Sequence, residues 1–256
     1  MESKRMNIHQ LDPNLWLLDD AGESTCYLIQ GTERALLLDT VNGQENLHDI
    51  VRTLTDLPLV VVNTHGHGDH IGGNVFFEEA WLHPADNEVV KKFLEKPEVK
   101  AYYEKHGWKS AALRALSIGQ VFDLGGTVLE VVPMEGHTRG SIGLLDRQRR
   151  ALFTGDALNQ HLWMQLDHSL PISGLLAMLQ RLKSNWGSDF DVIYHAHAKE
   201  AIPAALLDTV IEGCEELLRG ETAQDQPYTW FCGTCMRHPC ERSVRADIIY
   251  TEEKRC

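Results

Sequence analysis

The feature that most constrains this chain is a glycine-punctuated run of ligand-type side chains at residues 63–73, Asn-Thr-His-Gly-His-Gly-Asp-His-Ile-Gly-Gly. It follows Leu59–Val62, an apolar β-branched run that predicts a buried strand. Residues 74–80 are predicted to continue as a helix. The ligand-type side chains in the run are His65, His67, Asp69 and His70. Imidazole and carboxylate are the usual ligands of a catalytic zinc ion, so the run predicts a metal site at the carboxyl end of a strand.

The glycines inside this run have a predicted role of their own. Gly66 and Gly68 would let the backbone turn tightly enough for ligands two residues apart to converge. The alternative is a polar loop between strand and helix whose histidines face solvent. The density of ligands in His-x-His-x-Asp-His, together with the strand–turn–helix context, favours the metal site.

Four further segments place a ligand-type side chain at the end of an apolar run. They are Asp39 after Ala35–Leu38, His137 in Glu135–Ser141, Asp156 in Leu152–Asp156, and His197 in Val192–Ala198. With residues 63–73 they occur in the order of the motifs of the metallo-β-lactamase superfamily. The chain resembles that superfamily, in particular its glyoxalase II-like branch.

The resemblance implies an α/β fold, the αββα sandwich of two mixed β-sheets with external helices. It also implies two divalent metal ions, zinc first, with iron or manganese as options. The implied ligands are His65, His67 and His137 for one ion, Asp69, His70 and His197 for the other, and Asp156 as the bridge between them. Asp39 matches a family position that contacts ligands rather than metal.

The resemblance further implies a hydrolase in which a hydroxide held by both ions cleaves a small ester, thioester, lactone, amide or phosphodiester. Asp69 would be the catalytic residue that orients this water and receives its proton. Two divalent ions outweigh the charges of the two aspartates, so a small anionic substrate is expected despite the acidic chain. Candidates for substrate contact are His161, Lys199 and Arg139; for the last two, plain surface charge is the alternative.

Other functions stay open at this point. The superfamily includes mononuclear-iron persulfide dioxygenases that look similar around His65, His137 and Asp156, although the intact second ligand set favours a hydrolase. A β-lactamase is disfavoured, because the commonest branches of that group carry a cysteine where this chain has Asp156. A non-catalytic metal-binding protein is disfavoured by the presence of every ligand. His195 competes with His197 for one ligand position, and the small neighbours of His197 favour the latter.

Composition narrows the range of partners. The formal net charge is −13, from 24 basic and 37 acidic residues, which disfavours nucleic acid because phosphate binding needs clustered Lys and Arg. No apolar run has the length of a membrane-spanning helix, and the first residues lack the apolar stretch of a signal peptide. We therefore predict a cytoplasmic protein with a small-molecule substrate and no membrane partner. A homodimer stays open.

The remaining segments predict the layout of the chain. Residues 8–39 predict three short antiparallel strands, and residues 44–57 and 171–186 each predict a helix. Residues 97–117 form a helical, aromatic-rich insertion, either packed as core or serving as a lid over a pocket. Residues 157–170 are candidates for a pocket wall; the members of interest are His161, Trp163, Met164 and His168.

The C-terminal part differs from the rest. We predict a metallo-β-lactamase-like domain at residues 1–220 and a cysteine-containing extension at 221–256, packed on the same domain. The cysteines of the extension are Cys232, Cys235, Cys240 and Cys256. With His238, the first three are a candidate structural metal site. Free thiols in a loop are favoured instead, because the spacing to the third cysteine is short and no second Cys-x-x-Cys pair follows.

Overall fold

The computed structural model describes residues 6–230 and 233–256. These residues form two compact units. The first unit comprises the described residues up to Glu130 together with Ala196–Glu200, and the second comprises Val131–His195 and Ala201–Cys256. Residues 221–256 thus belong to the same unit as residues 131–195. Their separate status as an extension of a 1–220 domain stays a prediction.

A seven-stranded mixed sheet forms the first unit, with the strands in chain order across the sheet. They are β1 (Asn7–Asp12), β2 (Leu15–Asp19), β3 (Thr25–Gln30), β4 (Ala35–Leu38), β5 (Leu59–Val62), β6 (Glu79–Leu82) and β7 (Ala112–Ala115). Pairing is antiparallel from β1 to β4 and parallel from β4 to β7. The three antiparallel strands predicted for residues 8–39 are confirmed as β2 to β4, and β1 adds a fourth.

Short helices connect the parallel strands of this unit. They are α1 (Leu47–Arg52), α2 (Gly68–Ile71), α3 (Asn87–Glu95) and α4 (Pro97–His106), with 3-10 turns at Gly72–Phe76 and Pro84–Asp86. The helix predicted over 44–57 is present only as α1, because the Asn46 side chain caps it by accepting from the amide of Asp49. Leu47 and Val51 of α1 are buried with strand residues such as Leu28 in one apolar core.

Two predictions in the first unit were wrong in part. Residues 74–80 do not continue a helix: the 3-10 turn ends at Phe76, the backbone of Phe77 is extended, and β6 begins at Glu79. Burial explains this, since Ala80 and Leu82 alternate with more exposed neighbours and are almost fully covered. The insertion at 97–117 is helical only in α4. Its end forms β7, which pairs parallel with β6.

The aromatic residues of this insertion pack against one another. Trp108 lies edge-on to Phe76, with ring centroids 5.1 Å apart, and to Tyr102 at 5.4 Å. His106 stacks on Trp108 with centroids 4.6 Å apart. α4 itself has no buried residue, so these contacts join the aromatic side chains without placing the helix in the core. Packing as core and a role as a lid both stay predictions.

β8 (Val121–Asp123) and β9 (Val128–Pro133) form a hairpin. The boundary between the two units lies within β9, after Glu130. The later strands are β10 (Ile142–Asp146), β11 (Ala151–Gly155), β12 (His161–Trp163), β13 (Val192–His195), β14 (Ile202–Pro203), β15 (Gln226–Trp230), β16 (Gly233–Glu241) and β17 (Arg245–Tyr250). The helices of the second unit are α5 (Ile172–Trp186) and α6 (Leu206–Arg219).

Two sheets are present in the second unit. One has the order β14-β13-β11-β10-β9. In it β11 and β13 pair in parallel, whereas β10 pairs antiparallel with β11, and β14 pairs antiparallel with β13. The other has the order β12-β17-β16-β15, so three strands of the C-terminal segment share a sheet with one strand from residues 157–170, which pairs with β17. The α/β class with mixed sheets is confirmed. Within the described part of the chain, no helix combines the length and the apolar character needed to cross a membrane.

Candidate metal centre

The first unit gathers five of the predicted ligands. His65, His67, Asp69 and His70 follow β5, and α2 starts between the second and third of them. His65 Nε2 and His67 Nδ1 lie 2.9 Å apart. Asp69 Oδ2 lies 3.4 Å from His70 Nε2 and 3.7 Å from His197 Nε2. Nitrogen and oxygen atoms this close can bind one cation together.

Asp39 holds two of these histidines in place. Its carboxylate, almost fully buried, accepts hydrogen bonds from the Thr64 amide at 2.7 Å, the Thr64 hydroxyl at 2.8 Å and His70 Nδ1 at 2.9 Å. Because the Thr64 hydroxyl gives its proton to Asp39, its oxygen accepts from His65 Nδ1 at 3.0 Å. Asp39 itself has a φ of 65°, the left-handed region that aspartate tolerates better than most residues.

Backbone carbonyls orient two more histidines in the same way. His197 Nδ1 lies 2.8 Å from the carbonyl oxygen of Glu23, within the first unit. In the second unit, His137 Nδ1 lies 2.7 Å from the carbonyl oxygen of Trp163. A carbonyl only accepts, so Nδ1 carries the proton in both rings and a neutral ring has its lone pair on Nε2.

The second unit contributes a histidine and a carboxylate. His137 follows β9 and Asp156 follows β11, and His137 Nε2 lies 3.7 Å from Asp156 Oδ2. Both are nearly buried. The loop carrying His137 is fixed by Ser141 Oγ, which accepts from the Thr138 amide at 3.1 Å. Thr138 and Ser141 therefore act as capping groups of this loop.

The ligand loop of the first unit has supports that sequence reasoning missed. Asp86, fully buried, accepts from the amide of Gly66 at 2.8 Å, between two candidate ligands. The His70 carbonyl accepts from the Thr40 amide at 2.8 Å and from Asn63 Nδ2 at 3.0 Å. Asp86 lies 20 residues further along the chain and carries no motif, so only the three-dimensional fold reveals it.

The ligands around the glycines of this loop converge as predicted, since His65 Nε2 and His67 Nδ1 lie 2.9 Å apart. The backbone conformation alone does not require glycine there, because neither Gly66 nor Gly68 has a positive φ. Glycine is required at both positions because neighbouring side chains leave little room for a Cβ atom. A Cβ atom on Gly68 would lie 2.4 Å from the ring of Phe93, and one on Gly66 would lie 3.1 Å from Val90 Cγ2. The loop therefore packs directly against α3.

The donor set of each unit fits a divalent metal ion. In His65, His70, His197 and His137, Nδ1 faces a group that accepts its proton, which leaves Nε2 as the ligand atom. Histidines that bind metals show this pattern, because the outer hydrogen bond fixes ring orientation and tautomer. The carboxylates near these nitrogens balance the charge of a cation. His197 Nε2 lies 3.7 Å from Asp69 Oδ2, close enough to share a cation with it, and the choice of His197 over His195 as ligand stays a prediction.

The predicted substrate contacts lie in different surroundings. His161 is exposed, with Nδ1 3.4 Å from Asp247 Oδ2 and Nε2 3.2 Å from the Tyr228 hydroxyl. Lys199 Nζ lies 3.2 Å from the buried carboxylate of Asp19, so part of its charge is already neutralised. Arg139 is exposed. Their roles toward substrate stay predictions.

The cysteines do not form the predicted loop. Cys235 and Cys240 lie on β16, where an odd separation of five residues points them to opposite faces of the sheet. Cys232 lies outside the described residues. His238, the other candidate ligand, bonds through Nδ1 to Asp225 at 2.7 Å and through Nε2 to Glu216 at 3.2 Å. Among the residues that the structure covers, potential metal-binding groups do not include these cysteines.

Comparison with known sequences identifies the family. The profile of the metallo-beta-lactamase superfamily matches residues 19–207, which span all the predicted ligands. The chain belongs to the metallo-beta-lactamase superfamily. Its fold is the metallo-beta-lactamase fold. A metallo-beta-lactamase family protein from Thermus thermophilus is similar with a TM-score of 0.64 at 22% identity, covering 85% of each chain. The DIM-1 metallo-beta-lactamase is similar with a TM-score of 0.63 at 16% identity, covering 82% of this chain and 97% of that one.

Two characterised relatives are named as hydrolases. An acyl-coenzyme A thioesterase of Gallus gallus is 33% identical over 165 residues, which cover 55% of this chain and 59% of that protein. A hydroxyacylglutathione hydrolase of Haemophilus influenzae is 29% identical over 157 residues, covering 55% of this chain and 69% of that protein. The chain thus spans about 60% of the length of the acyl-coenzyme A thioesterases it matches.

Proposed function

We propose that this protein is a metal-dependent hydrolase that cleaves a small thioester at a binuclear centre, with zinc as the preferred metal. The observation that carries the proposal is the shared orientation of four histidines, each with Nδ1 hydrogen-bonded and Nε2 directed as a ligand: His65, His70, His137 and His197. His67 differs, since its Nδ1 is the atom that faces His65 Nε2. Membership of the superfamily supports hydrolysis. The names of the two relatives support a thioester over the lactones, other esters and phosphodiesters that the sequence left open.

Both ligand sets would serve one centre. His65, His67 and His137 would hold one ion, and Asp69, His70 and His197 the other, with Asp156 between them. The superfamily resemblance supports this assignment, and so does the proximity of ligands within each unit: the ligand atoms of Asp69, His70 and His197 lie within 4.8 Å of one another. A mixture of imidazole and carboxylate suits zinc, iron or manganese, and elemental analysis distinguishes them.

The chain's own residues account for proton handling and positioning. When bound, the ions would supply a Lewis acid for the thioester carbonyl and an acidified water as nucleophile. The Asp69 side chain is 37% exposed, so water reaches it, and its carboxylate can orient that water and accept a proton. Attack forms a carbon–oxygen bond, breaks the carbon–sulfur bond, and releases a carboxylic acid and a thiol. Asp39 and the carbonyls of Glu23 and Trp163 keep the ligand rings from turning.

Charged and polar side chains outside the ligand set would serve an anionic substrate. An anionic substrate could contact Arg139 or His161 directly, whereas Lys199 would first have to leave Asp19. A homodimer and a cytoplasmic location stay predictions from the sequence.

Hydrolysis of a chromogenic panel tests the proposal. Zinc-loaded protein should cleave S-acyl thioesters faster than a lactone or a phosphodiester. Asp156→Ala should lose metal and activity together, because the bridging carboxylate is removed. Asp56→Ala changes an exposed aspartate and serves as the matched control. Retention of both metal and activity in Asp156→Ala would contradict the assignment.

A further inference from the structure

The four-stranded sheet of the second unit has two unlike faces. Side chains at alternate positions, such as Leu162, Ile248 and His238, are buried on the side that packs against α6. The opposite side carries His161, Trp163, Tyr228 and Trp230, which we call the aromatic arch. The arch includes exposed apolar surface, since Trp230 is 52% exposed.

The arch joins the two edge strands of that sheet. β12 and β15 are at opposite edges, which in a flat sheet would stand about 14 Å apart. Yet the rings of Trp163 and Trp230 have centroids 6.0 Å apart, and those of His161 and Tyr228 are 5.4 Å apart. The side chains therefore lean toward each other over the two central strands. His161 Nε2 and the Tyr228 hydroxyl are 3.2 Å apart, which fixes the second pair.

Charge is nearly balanced beneath the arch. Arg237 Nε lies 2.9 Å from Asp247 Oδ1, so the cation and anion of the central strands neutralise each other. His161 Nδ1 lies 3.4 Å from the same carboxyl group. A surface of this kind suits an uncharged, apolar group better than a zwitterionic one, because buried charge without a partner is costly.

One residue of the arch, Trp163, is hydrogen-bonded to a candidate metal ligand. The Trp163 carbonyl accepts from His137 Nδ1 at 2.7 Å, and the carbonyl oxygen of a residue lies about 2.4 Å from its own Cα. The root of the Trp163 side chain is thus within about 5 Å of the His137 ring. Nδ1 is the nitrogen turned away from the metal-binding Nε2, so Trp163 lies on the far side of the His137 ring from the reacting carbonyl. An acyl group of several carbons extends past the ring to that distance, whereas an acetyl group does not.

We propose that the aromatic arch is the subsite for an apolar acyl group of the substrate, an inference that rests on the proposed thioester hydrolysis. The apolar faces of Trp163 and Trp230 would cover the acyl chain. Thioesters with medium-length acyl groups are then preferred over acetyl thioesters. The strands β15 to β17 contribute to specificity rather than serving only as an appended segment.

The test uses S-octanoyl and S-acetyl thioesters of N-acetylcysteamine with the full-length, zinc-loaded protein. Trp230→Ala should lower kcat/KM for the octanoyl thioester about tenfold, mainly through KM, and change that for the acetyl thioester less than about twofold. Trp230→Phe should restore most of the loss, since it keeps an apolar ring. Val121→Ala truncates an apolar side chain of similar exposure, 53%, on β8 and should leave both substrates unchanged.

A binding measurement separates this inference from the proposed function. Calorimetric titration with octanamide, which is not a thioester, should show affinity about tenfold weaker in Trp230→Ala than in the wild type. Thioester hydrolysis without chain-length dependence on Trp230 would overturn the inference and leave the proposed function standing. Absence of thioester hydrolysis would overturn the proposed function, and octanamide binding that depends on Trp230 would still support the arch as an apolar subsite. An octanamide affinity that is the same in Trp230→Ala and the wild type would refute the role of the aromatic arch as an apolar subsite.

Discussion

Replacement of Asp39 by Asn should weaken metal binding by His70 and His65, although neither histidine is changed. Asp39 accepts three hydrogen bonds at 2.7–2.9 Å, two of them from the Thr64 hydroxyl and His70 Nδ1. In Asp39→Asn, one oxygen still accepts from the Thr64 amide, but an NH2 group faces the other two donors. His70 then has to move its proton to Nε2, which removes the lone pair that would bind metal.

The magnitude follows from the hydrogen bonds that the substitution removes. Loss of an outer hydrogen bond to a metal ligand typically weakens metal binding about 10- to 100-fold. Because the Thr64 hydroxyl would also turn toward His65, we expect the upper part of that range. The free energy of unfolding of the metal-free protein should fall by about 2–3 kcal/mol, since charge-assisted bonds to a buried carboxylate are broken.

The assay is zinc titration in competition with a chromophoric chelator, with circular dichroism as a check of folding. Asp49→Asn is the matched control: Asp49 also lies beside a histidine, His48 at 3.4 Å, but both are exposed. Its zinc affinity should stay within about twofold of the wild type. A folded Asp39→Asn protein with wild-type zinc affinity would refute the role given to Asp39.

Three further predictions concern other parts of the structure. Asp86→Ala should lower the thermal midpoint and weaken zinc binding, because no side-chain oxygen is left to accept from the Gly66 amide between two ligands; an unchanged midpoint would argue against this role of Asp86. Gly68→Ala should cost about 1–3 kcal/mol of unfolding free energy in denaturant titrations, because its Cβ would lie 2.4 Å from a phenylalanine ring of α3. Burial raises the pKa of the Cys240 thiol to about 12, so Cys240 should stay unlabelled by iodoacetamide at pH 8 while the exposed Cys256 is alkylated, as mapped by mass spectrometry. Equal labelling of the two thiols would contradict that burial.

Much of the framework could be predicted because it rests on local sequence pattern. The strand Leu59–Val62 was predicted with its observed ends, since a short β-branched run before a glycine-rich turn has few alternatives. The helix α5 was predicted from its apolar spacing. The ligand types were predicted from motifs whose members lie within a few residues of one another.

The supports of the site could not be predicted because they come from distant backbone. The partner of His197 Nδ1 is the carbonyl of Glu23, and that of His137 is the carbonyl of Trp163. Every residue has a carbonyl, so sequence carries no signal for which one is used. Asp86 is likewise an ordinary acidic residue until the fold brings it to Gly66.

The C-terminal segment shows how a prominent residue type can mislead. Its cysteines suggested a loop, yet residues 233–241 form a strand of nine residues. Buried positions 238 and 240 alternate with the more exposed Pro239, a period of two that agrees with a strand. The pairing of β17 with β12, in which His161 lies opposite Asp247 86 residues later, is a long-range contact that periodicity alone does not reveal.

The most direct test of the central claim is elemental analysis of protein purified without added metal, combined with assays of thioester hydrolysis and oxygen uptake. The account predicts about two zinc or manganese ions per chain, as expected for a binuclear hydrolytic centre, and release of thiol from an acyl thioester. About one iron per chain, with no thioester hydrolysis and with oxygen uptake on a persulfide, would contradict it and assign the protein to the dioxygenases of the superfamily.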